Sequence, residues 1–406
     1  MREIILISFL GPDQPNQFTR LMQVLSAHSL QILDVGQAVI HNQLTLGIVV
    51  ASDDQTATAL AMKEILILAH DIGLTVRFKP ISATEYDQWV KEGGRTRYIV
   101  TALAPELNAS HLQAVTQIVS AQGFNIETVT RLSGRPALDG SRTGPKRACI
   151  EFGLKGQMLD AAAMRAACLR LSSELNVDVA VQEDNAYRRN RRLVCFDMDS
   201  TLIEQEVIDE LAIEAGVGAQ VAEITERAMQ GELDFQASFR ARVALLKGMD
   251  ASVLPKIAER LTITEGAERL ISTLKALGYR TAILSGGFQY FAEYLQGKLD
   301  IDEVHANALD VQDGVVTGEV KGHIVDGARK ALLLGEIAKE MGISLEQTIA
   351  VGDGANDLPM LSIAGLGVAF RAKPLVRQNA TQAISSVGLD GVLYLLGVHD
   401  KDLNQA

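Results

Sequence analysis

The chain has 406 residues, 47% of them hydrophobic and 22% charged, the balance of a soluble globular protein too long for one ordinary core. Its formal net charge of −12 argues against nucleic acid and against anionic membranes as main partners. Three scattered cysteines (Cys149, Cys168, Cys195) and seven histidines without metal-ligand spacing leave no disulfide framework and no zinc site. No apolar stretch is long enough for a bilayer span or a secretory signal, so a cytoplasmic chain is expected.

In chain order, the first half is an internal repeat at an offset of 94 positions: Leu25–Val35 aligns with Val119–Val129. Ahead of each aligned block runs a helical stripe, Phe18, Leu21, Met22 and Leu25 in one copy and Leu112, Val115 and Val119 in the other. Each stripe follows a β-rich run (4–9; 98–103) and leads into a strand (32–40; 126–131). A further strand (44–51; 147–152), a second helix (57–72; 159–175) and a closing strand (75–78; 177–181) complete each copy. This βαββαβ order predicts an antiparallel four-stranded sheet with two helices on one face, twice over, as α+β ferredoxin-like domains at 1–88 and 95–182.

The order and tandem repetition resemble the ACT domain, a module that binds amino acids and often pairs its sheets side by side. The first loop, Gly11-Pro-Asp13-Gln-Pro-Asn16, is close to the family's ligand loop G-x-D-x-P-G, with Asn16 in place of the last glycine. The second, Ala104-Pro-Glu-Leu-Asn108, lacks the glycine. The resemblance implies regulation through Gly11, Asp13 and Asn16 by an amino acid such as serine, and a homodimer through the sheets; a role in dimerisation or folding alone stays open.

Residues 183–192 are polar and Arg-rich, and Arg188 to Arg192 are expected to be a solvated linker. Next comes Leu193-Val-Cys-Phe196, a short apolar run of the kind that forms a buried parallel strand, ending in Asp197-Met-Asp199-Ser-Thr201. Carboxylates at that end project into the crevice where doubly wound sheets bind ligands. Two more predicted strands carry chemistry at the same end. Thr281–Leu284 ends in the turn Ser285-Gly286-Gly287, and Thr348–Val351 ends in Gly352-Asp353-Gly354-Ala-Asn356-Asp357. Lys330 lies between them at the start of a helical pattern.

These four elements in this order resemble the haloacid dehalogenase superfamily from Leu193 to about Leu396, with a Rossmann-like α/β core (193–402). The resemblance implies that Asp197 is a nucleophile toward phosphorus and Asp199 an acid and base, with Ser285 and Lys330 on the phosphoryl oxygens. Mg²⁺ would be held by Asp197, Asp353 and the backbone of Asp199, with Asp357 behind it. An all-oxygen set suits that hard cation.

About eighty residues separate the first two motifs, too many for a plain βα connection, which predicts a helical cap over about 209–261. The run Asp197-x-Asp-Ser-Thr-Leu-x-x-x-Glu206 resembles the phosphoserine phosphatase family. That implies L-phosphoserine as substrate, with Glu206 on its ammonium, Arg242 on its carboxylate, Met229 and Phe235 as pocket walls, and Gly286 and Asn356 as further contacts. A zwitterion does need one anion and one forked cation. A different small phosphate on the same core, or a regulatory amino-acid binder with an inert second half, are the rival readings.

Overall fold

A computed structural model describes residues 2–92, 96–136, 146–229 and 232–403. It divides into two compact units, Met1–Arg95 and Thr96–Ala406.

The first unit runs β1 (Glu3–Pro12), α1 (Gln17–Ala27), β2 (Gln31–Ile40), β3 (Gln43–Ser52), α2 (Gln55–Asp71), β4 (Thr75–Ile81) and α3 (Ala83–Glu92). Its antiparallel sheet has the order β2-β3-β1-β4, the predicted ferredoxin-like arrangement. Ile5, Ile7 and Phe9 point from β1 into a core completed by Leu21, Leu25, Ile65 and Ala69 of the helices. The period-2 strand pattern and the period-3.6 helix pattern thus meet face to face. Asp54 caps α2 by accepting from Thr56 and Ala57 N–H. The helix α3 was not foreseen, and its Tyr86 packs on Ile4, Val49 and Ala51 on the other face of the sheet.

The second repeat, β5 (Arg97–Ala104), α4 (Ala109–Ala121), β6 (Asn125–Arg131), β7 (Ala148–Lys155), α5 (Ala161–Leu175) and β8 (Asp178–Glu183), has the equivalent order β6-β7-β5-β8. Its burial differs. β5 is buried on both faces from Ile99 to Ala104, and Leu103, Cys149 and Ala180 belong to the same hydrophobic cluster as Phe196 and Leu393 of the catalytic core. Polar contacts fix this joint. Gln382 donates to the Val181 carbonyl at 2.6 Å and accepts from its N–H at 3.0 Å, and Arg147 pairs with Asp390 at 2.5 Å.

The solvated-linker expectation fails for two residues. The segment forms a short 3₁₀ turn, Ala186–Arg189, in which Arg188 is only 1% exposed and pairs with Glu151 of β7 at 2.5 Å. Arg191, also buried, donates to the carbonyls of Arg188 and Gly365. A buried cation needs such partners, and each partner lies outside the turn itself or across it.

The α/β core follows as β9 (Leu193–Phe196), then the inserted cap helices α6 (Val207–Glu214), α7 (Gly218–Met229), α8 (Phe235–Ala244) and α9 (Leu254–Arg260). Then come α10 (Ala267–Ala276), β10 (Arg280–Phe288), α11 (Gln289–Leu299), β11 (Glu303–Gln312), β12 (Val315–Lys321) and α12 (Gly327–Glu340). The chain ends with β13 (Thr348–Gly352), α13 (Leu358–Ile363), β14 (Leu366–Phe370), α14 (Pro374–Asn379), β15 (Gln382–Ile384), α15 (Gly391–Leu395) and α16 (Asp400–Leu403). The seven-stranded sheet has the order β12-β11-β10-β9-β13-β14-β15, parallel except for the β11–β12 hairpin. The chain leaves β9 for β10 on one side and later returns to β13 on the other. The C-terminal end of β9 is therefore the point where the winding reverses and a crevice opens. The motif Ser285–Gly287 does not end its strand, as predicted, but lies within β10 at an irregularity in the pairing with β11 between Leu284 and Phe288.

Candidate active site

Asp197 leaves the end of β9 with its N–H donated to the Val351 carbonyl of β13 at 2.9 Å. Its Oδ1 accepts from the Met198 N–H at 2.7 Å, and its Oδ2 lies 2.8 Å from Lys330 Nζ. Lys330 stands in the first turns of α12, which begins where the Asp326 side chain accepts from the Arg329 N–H. Its ammonium, 0% exposed, also donates to Asp357 Oδ1 at 2.6 Å. Burial alone would lower the Lys330 pKa, but Asp197 and Asp357 outweigh it and hold the group above the usual lysine range.

The carboxylates outnumber this one cation. Oxygens of Asp197, Asp353 and Asp357 all lie within 4.8 Å of one another. Burial, with Asp197 next, pushes Asp353 up to about 7 and Asp357 up to about 8. Both Asp357 oxygens have donors, Lys330 and the Gly354 N–H at 2.9 Å, whereas the Asp353 side chain has a long contact of 3.4 Å from the Thr201 hydroxyl. A cluster of hard oxygen donors with surplus negative charge fits a small divalent cation, with Asp353 the more available ligand and Asp357 held back by its partners.

Asp199 accepts from the Val207 N–H at 3.1 Å, so the start of α6 fixes it. Burial, with Glu206 and Asp197 beside it, raises it well above the ordinary carboxylate range. Gly287 exists for this neighbour: a Cβ there would stand 2.4 Å from Asp199 Oδ2. The Gly287 N–H is donated to Ser285 Oγ at 2.9 Å rather than left for an anion, and Ser285 itself is fully buried. A Cβ on Gly286 would meet Phe235 of the cap at 2.8 Å, so the two glycines admit an acid and a cap aromatic.

A cavity of about 790 Å³ opens between these strand ends and the cap. It is lined by Asp197, Asp199, Glu206, Phe235, Arg242, Gly286, Asp353 and Asn356, bringing together most of the residues singled out in the sequence. Glu206 is steadied by the Ser200 hydroxyl at 2.8 Å. Arg242 makes no salt bridge among the described residues, and its buried Nε has no hydrogen-bond partner there. Partial burial pulls its guanidinium down, against the pull of Glu206, Asp209 and Asp199. Met229 ends α7, but its side chain falls outside the described residues.

Gly11, Asp13 and Asn16 lie in the other unit, away from this cluster in sequence. A Cβ on Gly11 would stand 2.7 Å from the Gly73 carbonyl, Asp13 N–H is donated to the Asn42 carbonyl, and Asn16 has φ 67°. Asparagine tolerates that left-handed conformation, which accounts for its standing where the ligand-loop pattern has glycine.

Sequence reasoning missed three supports. Asn307, 1% exposed, donates to the Gly286 carbonyl at 2.8 Å and accepts from the Val325 N–H at 2.8 Å, stapling β10 to the approach of α12. Gln236 of the cap donates to Asp326 Oδ2 at 2.6 Å, and Phe239 stacks on Phe235 at 6.0 Å. None carries a motif; Asn307 and Gln236 are defined by partners distant in sequence, and Phe239 by a neighbour one helical turn away.

Comparison with known proteins agrees with this geometry. Residues 194–362 match the haloacid dehalogenase-like hydrolase family and residues 3–79 the ACT domain family. The chain is 39% identical over 404 residues to phosphoserine phosphatase SerB2 of Mycobacterium tuberculosis, covering 99% of this chain and 95% of the relative. It is 40% identical over 408 residues to phosphoserine phosphatase of Streptomyces coelicolor, covering 99% and 94%. A crystal structure of a HAD family hydrolase from Salmonella enterica serovar Typhi superposes with a TM-score of 0.64 at 30% identity, covering 75% of this chain and 99% of that one. With a haloacid dehalogenase core, an ACT domain and relatives matched over nearly their whole length, this chain belongs to the phosphoserine phosphatase family.

Proposed function

We propose that this chain hydrolyses L-phosphoserine to L-serine and phosphate, the last step of serine biosynthesis, through an aspartyl-phosphate on Asp197. The observation that carries the substrate is the pairing of Glu206 and Arg242 across one cavity with Asp197. The anion takes the ammonium and the guanidinium takes the carboxylate, which sets the phosphate toward the strand ends.

Asp197, Asp353 and the Asp199 backbone would hold Mg²⁺, which would supply positive charge against the phosphate oxygens. Lys330 adds a second cation and fixes the Asp197 carboxylate, which attacks phosphorus while the serine oxygen departs. Asp199, its pKa raised, keeps the proton that the departing alkoxide takes up. Deprotonated by that step, it then accepts a proton from the water that attacks the aspartyl-phosphate, releasing phosphate and restoring Asp197. In this reading the Ser285 hydroxyl and the Gly286 backbone serve the phosphoryl oxygens, and Asn356, which lines the cavity as Gly286 does, is a further substrate contact.

In the first unit, the loop Gly11–Asn16 is the candidate effector site for serine. The edge strand β2 supports a homodimer through that sheet, since Val35 and Val39 are exposed and Ile40 is 77% exposed. Free, buried cysteines suit a reducing cytoplasm, and among the described residues no helix is long and apolar enough to cross a membrane.

The deciding experiment is phosphate release from L-phosphoserine with and without Mg²⁺, beside Asp197→Asn. Release that needs the metal and vanishes in the variant supports the reading. Release from an aryl phosphate but not from phosphoserine refutes the substrate and spares the catalytic core. Serine that leaves activity unchanged, in wild type and in Asp13→Ala alike, removes the regulatory part.

A further inference from the structure

A second cavity, of about 200 Å³, lies between α5 and β8 of the second repeat and α14 and β15 of the catalytic core. That is well above the roughly 15 Å³ that admits one water. Its walls have a definite chemistry. Met164, Leu169 and Val181 supply an apolar side. Arg377 supplies a cation that, among the described residues, donates from an outer nitrogen to Ser172 Oγ at 2.9 Å and whose buried Nε has no partner there.

The single acidic group in the wall, Asp178, is held off that cation by Ser172, which donates to Asp178 and accepts from Arg377. Asp178 is 1% exposed and already accepts four hydrogen bonds, from the Ser172 hydroxyl, the N–H groups of Ser385 and Ser386, and the Ser386 hydroxyl. It forms no salt bridge with Arg377 among the described residues. A half-buried guanidinium whose buried Nε–H is unmet, beside an apolar wall, is complementary to an anion that carries an apolar body.

The cavity has a mechanical neighbour. The six-residue helix α14 lines the substrate cavity with Leu375 and Val376, beside its N-cap Lys373, and lines this one with Arg377, beside its C-cap Ala380. One short element is thus a wall of both spaces.

We propose that the cavity is a binding site for a small carboxylate with an apolar tail, its charged end on Arg377 and its tail against Met164 and Leu169, and that the bound ligand alters the substrate cavity through α14. This site is separate from the loop Gly11–Asn16 and lies wholly within the unit Thr96–Ala406. Only the kinetic arm of its test rests on the phosphatase reading.

The test uses the full chain and two probes by isothermal calorimetry, 4-methylpentanoate and L-leucine, with acetate as the bare charge. Saturable binding of either probe, tighter than acetate, is expected; a preference between them tells whether the ammonium is recognised. Arg377→Gln is expected to weaken it by at least about tenfold, the worth of a charge-assisted hydrogen bond. Leu169→Trp, which fills the cavity and keeps the charge, is expected to do the same, and it decides the matter should the first variant not fold. No saturable heat, equal affinity for acetate, or binding unchanged in the variants overturns the site. With the better probe bound, the KM for phosphoserine should shift at least about twofold in wild type and not in Leu169→Trp; an unchanged KM overturns the role of α14.

Discussion

Lys330 Nζ lies 2.8 Å from Asp197 Oδ2 and, on its other side, donates to Asp357, with no exposure to solvent. One buried ammonium therefore restrains two of the three clustered carboxylates Asp197, Asp353 and Asp357.

Removing that ammonium should be costly twice. Lys330→Met leaves buried carboxylates without their cation, and a loss of about 3–5 kcal/mol in urea melts is expected for a broken buried pair. Turnover of phosphoserine should fall by about 10²-fold or more, as for loss of a group that stabilises developing charge. A variant that melts like wild type would contradict the ion-pair account.

Asp353 and Asp357 set a pH dependence for the protein stripped of metal. Their pKa values are raised on folding, to about 7 and about 8, so the folded state binds more protons than the unfolded one between the ordinary carboxylate value and these limits. Stability from these groups is present at acid pH and is lost as pH rises through about 7 to 8. The melting temperature of the metal-free protein should fall over that window, and Asp353→Asn should flatten the fall. Mg²⁺ should raise the melting temperature most at the alkaline end.

Arg242→Ala separates substrate recognition from chemistry. The KM for phosphoserine should rise by about 10²-fold, since a buried charged partner is lost, while hydrolysis of an aryl phosphate changes little. Equal loss on both substrates would place Arg242 in the fold rather than in recognition.

Gly287→Ala tests the placement of Asp199. The added methyl would stand 2.4 Å from the Asp199 carboxylate and must displace it. If Asp199 is the acid, as proposed, the departing alkoxide needs its proton and a nitrophenolate does not. The variant should thus lose about tenfold or more on phosphoserine against little on 4-nitrophenyl phosphate. Parallel losses would exclude Asp199 as the acid.

Asn307→Leu should cost about 1–3 kcal/mol, the penalty for leaving a buried amide and carbonyl unpaired. It should lower kcat more than KM, because Asn307 ties Gly286 to the approach of the Lys330 helix without lining the cavity.

The sequence made the strand-end carboxylates legible because the signal is local: Leu193–Phe196 can only be a buried strand, and Asp197 and Asp199 follow it directly. The repeat was legible for the same reason, since helix and strand periods are written in consecutive residues. Asn307 was not, because its partners lie 21 and 18 residues away and a lone asparagine has no period. Arg188 misled for a sharper reason. A charge run is solvated by default, and only the distant Glu151, 37 residues back, makes burial affordable. The strand β5 did carry a hint, as Val100–Ala104 has a single polar residue, Thr101, in place of the alternation that a half-solvated sheet needs.

The shared cluster of Leu103, Cys149 and Ala180 with the catalytic core bears on how this chain can be cut. A fragment starting at Arg192 would bare that apolar surface and leave Arg377 without Ser172, its partner in the repeat, inviting self-association. A fragment starting at Thr96 keeps the surface covered. For this enzyme, the smallest piece worth expressing is therefore about a hundred residues longer than its catalytic motifs alone would suggest.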